Sequence, residues 1–445
     1  MTETSASATA PVNKRGRVIF ASLVGTSIEF YDFYIYATAA VLVFPALFFP
    51  HATETTAQLQ SFAVFGVAFI ARPLGSIVFG HLGDRIGRKA TLIGSLLTMG
   101  IATFLIGCLP TALTPGWEVA APTLLVIMRF FQGIGLGGEW SGAALLATEN
   151  APQGKRAIYG TFPQLGAPIG FILANVFFLV LSSTFAPEMF AAWGWRVPFL
   201  ASAAMVALGL WVRLKLVESP AFQRVQEQDK VTSVPLGVVL SKYLGPTVLG
   251  TFNMLATYVL FYLLTTFTLT YGTRAVDAAV PGLGYTRTTF LLMMIIGVVF
   301  FGIFVLVAGP LAERFGRRKS LMVITAAIGV FGFLWVPLFG GGTPGVLALL
   351  ILGFTLMGLT FGPMGALLPE MFPTNVRYTG SAVSYNVSSI LGAALAPFIS
   401  VYLWGLGAGS PFLVGLYLTG AAVLTMISLF LTKETRDLAY EDNVG

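Results

Sequence analysis

The sequence predicts an all-α integral membrane protein, with twelve transmembrane helices arranged as two six-helix bundles. Three observations predict it. Charge is too sparse for a water-soluble globule. Long apolar runs recur along the whole chain. The loops between those runs carry the same short motifs twice.

Of the 445 residues, 56% are hydrophobic and 10% are charged, with a mean hydropathy of +0.84. A soluble domain carries about 25% charged residues, so lipid must cover much of this surface. Fifty glycines and 24 prolines would break soluble helices, but membrane helices tolerate both. The one cysteine, Cys108, sits in an apolar run and offers neither a disulfide nor a metal cluster. His51 and His81 lie far apart, which argues against a zinc site, and His81 reads as a turn residue. The net charge of +6 is spread in short basic clusters between apolar runs. That is a topology signal and points away from nucleic acid.

A span needs roughly 20 apolar residues. Twelve runs qualify: 18–49, 58–83, 90–109, 120–147, 157–184, 194–216, 243–272, 287–312, 320–338, 345–369, 378–404 and 410–432. They divide the chain into a tail (1–17), a six-helix bundle (18–216), a polar linker (217–242), a second bundle (243–432) and a second tail (433–445). The first apolar run is too long for a signal peptide and reads as a retained span. Alternate loops and both tails hold 20 of the 25 Lys and Arg residues. Arg196, Arg274 and Arg287 lie on the opposite side, and Arg72 and Arg129 lie inside spans. This bias predicts cytoplasmic termini and a cytoplasmic linker.

The halves repeat each other. "GHLGDRIGRK" from Gly80 matches "GPLAERFGRR" from Gly309 without gaps, in Gly, acid, Arg, Gly, Arg and base. "ENAPQGKR" from Glu149 matches "EMFPTNVR" from Glu370, with Pro three and Arg seven residues after each Glu. Two six-span halves around a central pathway are a transporter architecture.

These loops resemble the signature of the major facilitator superfamily (MFS). More narrowly, "IEFYDFYIY", "ARPLGSIVFGHLGDRIGRK", "RFFQGIGLGGEWSGAALLATENAP" and "WGWRVPF" resemble its metabolite:proton symporter family, in the branch of enteric inner-membrane metabolite and shikimate transporters. The resemblance covers essentially the whole chain and implies the MFS fold. It also implies proton-coupled uptake of a small metabolite by alternating access, with the proton as coupling ion and no cofactor. The expected partners are the lipid bilayer and a carboxylate-bearing metabolite, and the chain is expected to act as a monomer.

The repeated loops read as cytoplasmic gates. Gly83 and Gly87 permit a tight turn, and Asp84 suits a helix N-terminus, where negative charge is favoured. Arg85 and Arg88 are expected to pair with Glu149, and Arg314 and Arg317 with Glu370. Glu313, Arg156 and Arg377 complete the two copies. The alternative is that these bases only set topology.

Five ionisable residues lie well inside spans: Glu29, Asp32, Arg72, Arg129 and Glu139. Such charges are costly in lipid and usually functional. Glu29 and Asp32 share a face with Gly25 and Tyr36, and Arg129 shares one with Gln132. Depth counting pairs Asp32 with Arg129, and places Arg72 near Glu29 and Glu139. With all five ionised the set carries −1, so one proton neutralises it. Asp32, with Glu29 and Glu139 behind it, is the expected proton carrier. An acid that takes a proton frees its arginine for a substrate carboxylate, whose geometry the guanidinium matches. Packed ion pairs without transport chemistry are the alternative. The pathway candidates are Arg72, Arg129, Gln132, Tyr36 and Gln164, with Asn253, Tyr258, Tyr262, Tyr385 and Asn386 from the second half. The glycines of "GIGLGGEWSGA" read as helix packing. A zwitterion symporter of betaine or proline type and a proton-driven exporter remain open. An enzyme finds no support, because no paired His, Cys or Ser arrangement lies at depth.

Overall fold

The structure, a computed structural model, describes residues 15–215 and 235–438. Most of the 217–242 linker therefore lies outside the described residues, as do most of the first tail and the end of the second. The described end of the linker is not irregular: Pro235–Lys242 is a helix.

Apolar runs of this length leave the backbone no partner in lipid but itself, so each closes into a helix. Among the described residues, eleven helices are long and apolar enough to cross a membrane. In the first half they are α1 (Gly16–Ala40), α2 (Gln60–Arg85), α3 (Arg88–Cys108), α4 (Ala120–Glu149), α5 (Arg156–Thr184) and α6 (Phe190–Leu214). In the second half they are α7 (Leu244–Thr273), α8 (Arg287–Phe315), α10 (Gly342–Glu370), α11 (Arg377–Leu406) and α12 (Phe412–Leu431). The remaining span is α9, Arg317–Phe333, only 17 residues long. It ends at Phe333, and after Leu334 a separate short helix, Trp335–Gly340, follows, so the predicted 320–338 run is two pieces. The first predicted run is also split, because α1 gives way after Leu42 to Phe44–Phe48, with Pro45 at its start.

Within each half, glycines let helix backbones touch. A Cβ on Gly133 of α4 would stand 2.6 Å from Ala68 O of α2, and one on Gly358 of α10 the same distance from Phe301 O of α8. The halves meet along α2–α11 and along α5 with α8 and α10, so the two seams correspond under the internal repeat. α5 is interrupted at Leu165, between Pro163 and Pro168, where the missing proline N–H breaks the helical ladder.

Candidate functional site: a cavity above a sealed gate

The basic-loop ends of the helices are closed by two matching networks. Asp84, near the end of α2, accepts hydrogen bonds from Tyr378 N (3.3 Å), Thr379 N (3.0 Å) and Thr379 Oγ1 (2.8 Å). These are first-turn groups of α11, whose own N-cap, Val376, supplies no capping side chain. In the second copy Glu313 accepts from Ala157 N (2.6 Å) at the start of α5, whose N-cap Lys155 also lacks a side-chain cap. Each half's acid thus caps a helix of the other half. A carboxylate there satisfies orphan N–H groups and meets the positive end of the helix dipole.

Arginines complete both networks. Arg88 lies 3.3 Å from Asp84 and 3.5 Å from Glu149, which Arg377 also approaches at 3.5 Å. Arg317 lies 2.8 Å from Glu313 and 3.2 Å from Glu370, which Arg156 approaches at 3.7 Å. Arg85 and Arg314 do not join them. Both are exposed; Arg85 contacts His81 Nε2 (3.3 Å) and Arg314 lies by the Phe315 ring. They sit on the solvent face of their helix ends, whereas Arg88 and Arg317 open the next helix and point into the seam. The tight turn belongs to Gly87 and Gly316, at φ +109° and +93°, where a side chain is strained. Gly83 instead makes room for the Tyr378 ring.

The second tail is part of this seal. Glu434 accepts from Arg317 N (2.9 Å) and Arg318 N (3.2 Å), and Thr435 Oγ1 donates to Glu370 (2.6 Å). Arg156 reaches across from the first half to Leu438 O (2.6 Å).

On the opposite side a cavity of about 620 Å³ opens between α1, α2, α5, α7 and α8 and reaches the exposed Arg274. Phe33, Tyr34, Phe261 and Tyr262 form its floor and also wall a pocket of about 30 Å³ beneath, which holds Arg72, Tyr258 and Tyr385.

The intramembrane charges are arranged differently from the expectation. Asp32 and Arg129 form no ion pair: among the described residues no cation pairs with the Asp32 carboxylate, which has the Thr103 hydroxyl beside it. Arg129 Nη1 donates instead to Gln132 (2.5 Å), one turn along, and its guanidinium lies 4.0 Å from the Tyr36 ring centre. Gln132 also donates to Thr103 Oγ1 (2.8 Å) and to the Asp32 carbonyl (3.3 Å). Arg129, Gln132 and Tyr36 are fully buried and line neither cavity. Arg72 makes no ion pair with Glu29 or Glu139 and sits 5.0 Å from both the Phe33 and Phe69 rings. Ring faces attract a cation and hold it where water cannot.

Glu139 is paired rather than spare in this structure. Arg213 of α6, which the sequence places among topology-setting bases, bonds both Glu139 oxygens, and Ser95 adds a third bond at 2.9 Å. Gly25 of α1 leaves the space for this pair; a Cβ there would stand 3.1 Å from Glu139 Oε1. The five intramembrane charges alone carry −1, and Arg213 beside them brings the buried intramembrane set to three acids and three arginines, neutral when all are ionised. Glu29, 2% exposed, has an Oε2 without a hydrogen-bond partner among the described residues and lies within electrostatic reach of Glu139, Arg72 and Arg213.

In the second half, Tyr258, Tyr262 and Tyr385 line the lower pocket, but Asn253 does not. It donates to Thr432 Oγ1 (3.0 Å), where α7 packs on the end of α12. Gln164 and Asn386 close the centre instead. Gln164 joins Trp140 Nε1 (2.7 Å) to Phe361 O (2.7 Å), and Asn386 donates to Gly137 O (2.9 Å). Trp140 stacks on Tyr385 with ring centres 3.9 Å apart. Sequence reading did not single out Trp140, and its only signal was an aromatic next to Glu139.

The sequence profile of the Major Facilitator Superfamily matches residues 22–397 and, in a second match, 280–442. The chain belongs to the Major Facilitator Superfamily. It is thus a multi-pass membrane transporter of that superfamily and not an enzyme. Its MFS relatives include the inner membrane metabolite transport protein YhjE of Escherichia coli (strain K12), 59% identical over 431 residues that cover 96% of each chain. The shikimate transporter of the same organism is 34% identical over 444 residues, 96% of this chain and 97% of that one. Among solved MFS structures, the proton:xylose symporter XylE bound to 6-bromo-6-deoxy-D-glucose superposes with a TM-score of 0.77 at 18% identity, covering 97% of this chain and 98% of its own. That likeness speaks to the fold.

Proposed function

We propose that the chain is a proton-coupled symporter of a small carboxylate-bearing metabolite. Its two bundles, 18–216 and 243–432, would alternate about the central pocket, with both termini and the linker cytoplasmic. The observation that carries the reading is Arg72, a buried guanidinium with no carboxylate partner among the described residues, in a pocket beneath an open cavity. A planar guanidinium binds a carboxylate through two parallel bonds. The metabolite relatives, the shikimate transporter among them, support a small-molecule substrate.

The proton is assigned to α1. Asp32 is a fully buried carboxylate with no cation paired to it among the described residues, and an unpaired carboxylate in low dielectric is relieved of its penalty by taking a proton. Loading Asp32 and filling Arg72 both remove uncompensated buried charge, which links the two events. Closing the cavity and opening the Asp84 and Glu313 caps would then expose both to the cytoplasm. A zwitterionic substrate is the second reading, favoured by Tyr258, Tyr262 and Tyr385 around the lower pocket, since aromatic faces receive a quaternary cation.

A thermal-shift screen of purified protein separates the two. Organic acids should raise the melting temperature of the wild type but not of Arg72→Gln. Stabilisation by betaines alone, unaffected by Arg72→Gln, would favour the zwitterion.

A further inference from the structure

The far end of α7 carries chemistry that the central site does not use. The loop after it folds back: Leu283 N donates to Tyr271 O (2.9 Å), Gly284 N to Arg274 O (2.8 Å) and Tyr285 N to Gly272 O (2.9 Å). This brings Arg274, at the start of the loop, and Arg287, at its end, onto the wall of the 620 Å³ cavity. Arg274 rests 5.5 Å from the Trp404 ring, and Arg287 Nε is buried without a partner. Neither guanidinium has an ion pair with any described residue. Arg196, the third arginine on this side, differs: it is held by Gly107 O (2.9 Å) and Leu109 O (2.5 Å).

Below the arginines α7 presents Thr265, Thr266, Thr270 and Thr273 to the same cavity. Three of these hydroxyls already donate to carbonyls of their own helix: Thr265 to Phe261, Thr270 to Thr266 and Thr273 to Leu269. Their oxygens remain as acceptors, which suit donor groups such as substrate hydroxyls. We propose that Arg274 and Arg287 form an outer capture site for a small hydroxylated carboxylate, with the arginines taking the carboxylate and the α7 threonines the hydroxyls. Unpaired positive charge in a walled cleft concentrates anions. The aromatic floor separates this site from Arg72, so capture precedes entry. The inference rests on the anionic-substrate reading of the central pocket.

Cys108 is the only cysteine, so Cys108→Ala with Thr266→Cys carries a single thiol on the cavity wall. Its reaction rates with an anionic sulfonatoethyl and a cationic trimethylammonioethyl methanethiosulfonate are compared, relative to a free thiol. The anionic reagent should be favoured on the order of tenfold. The preference should collapse when Arg274→Gln and Arg287→Gln are combined, and persist with Lys at both positions. Gluconate should slow the anionic reagent in the arginine-bearing protein and not in the Gln pair, while glucose slows it in neither. A preference unmoved by the Gln pair, or lost equally with the Lys pair, overturns the site. A preference that moves without gluconate protection overturns the hydroxylated carboxylate as ligand. Arg72→Gln should leave the preference intact, so a chain that shows it yet transports no acid contradicts the central reading alone.

Discussion

At the scale of single residues, what matters is which buried charges lack partners. Among the described residues Arg72 and Asp32 have no ion-pair partner, whereas Glu139 has Arg213. Arg72→Gln should therefore weaken binding of an anionic substrate by about 2–5 kcal/mol, the scale for losing one side of a buried charge pair. Arg72→Lys should recover little of it, because an ammonium lacks the planar fork. Arg129→Gln should cost less, because Arg129 lies behind the cavity wall on Tyr36. Calorimetric titration checks the order, and equal losses at both arginines would place Arg129 in the substrate path. That these residues would be charged and buried was legible, because charges inside apolar runs stand out. Their pairing was not. Depth along a helix says nothing about rotation, and Arg213 reads as a topology signal until α6 is packed beside Gly25.

At the scale of elements, the gates are helix caps exchanged between halves. Asp84→Asn weakens charge-assisted bonds to α11, a change of about 1–3 kcal/mol, and should move the population toward opening on the basic-loop side. The equivalent change, Glu313→Gln, should act in the same direction through α5. A thiol placed under the gate should become more reactive in both variants while substrate binding persists. Unchanged reactivity in both would leave the loops with a topological role alone. Helix contacts offer a second test. Gly137 of α4 has no room for a side chain, since a Cβ would stand 2.7 Å from Ser76 N. Gly137→Leu should lower the melting temperature, by an overpacking cost of about 1–3 kcal/mol. The repeated motifs disclosed that both loops matter. They did not disclose the caps, because Asp84 and Thr379 are 295 residues apart and no local pattern links them.

At the scale of the whole molecule, the twelve spans and their pairing into halves were legible because lipid enforces long apolar helices and basic residues mark alternate loops. The breaks at Val43, Leu165 and Leu334 were less so, since hydropathy does not register a change of direction. Orientation is testable at Ser241, exposed at the end of the linker. In a Cys108→Ala background, Ser241→Cys should need a membrane-permeant reagent in intact cells; labelling by an impermeant one would reverse the assignment. The coupling of a proton on α1 to the movement of a carboxylate bound at Arg72 is tested in proteoliposomes. An inward proton gradient should drive uphill uptake of a stabilising acid by the wild type. Asp32→Asn, which imitates the protonated carboxyl, should abolish that accumulation yet keep exchange between two substrate-loaded sides. Accumulation by Asp32→Asn equal to that of wild type would contradict the account and move the proton to Glu29.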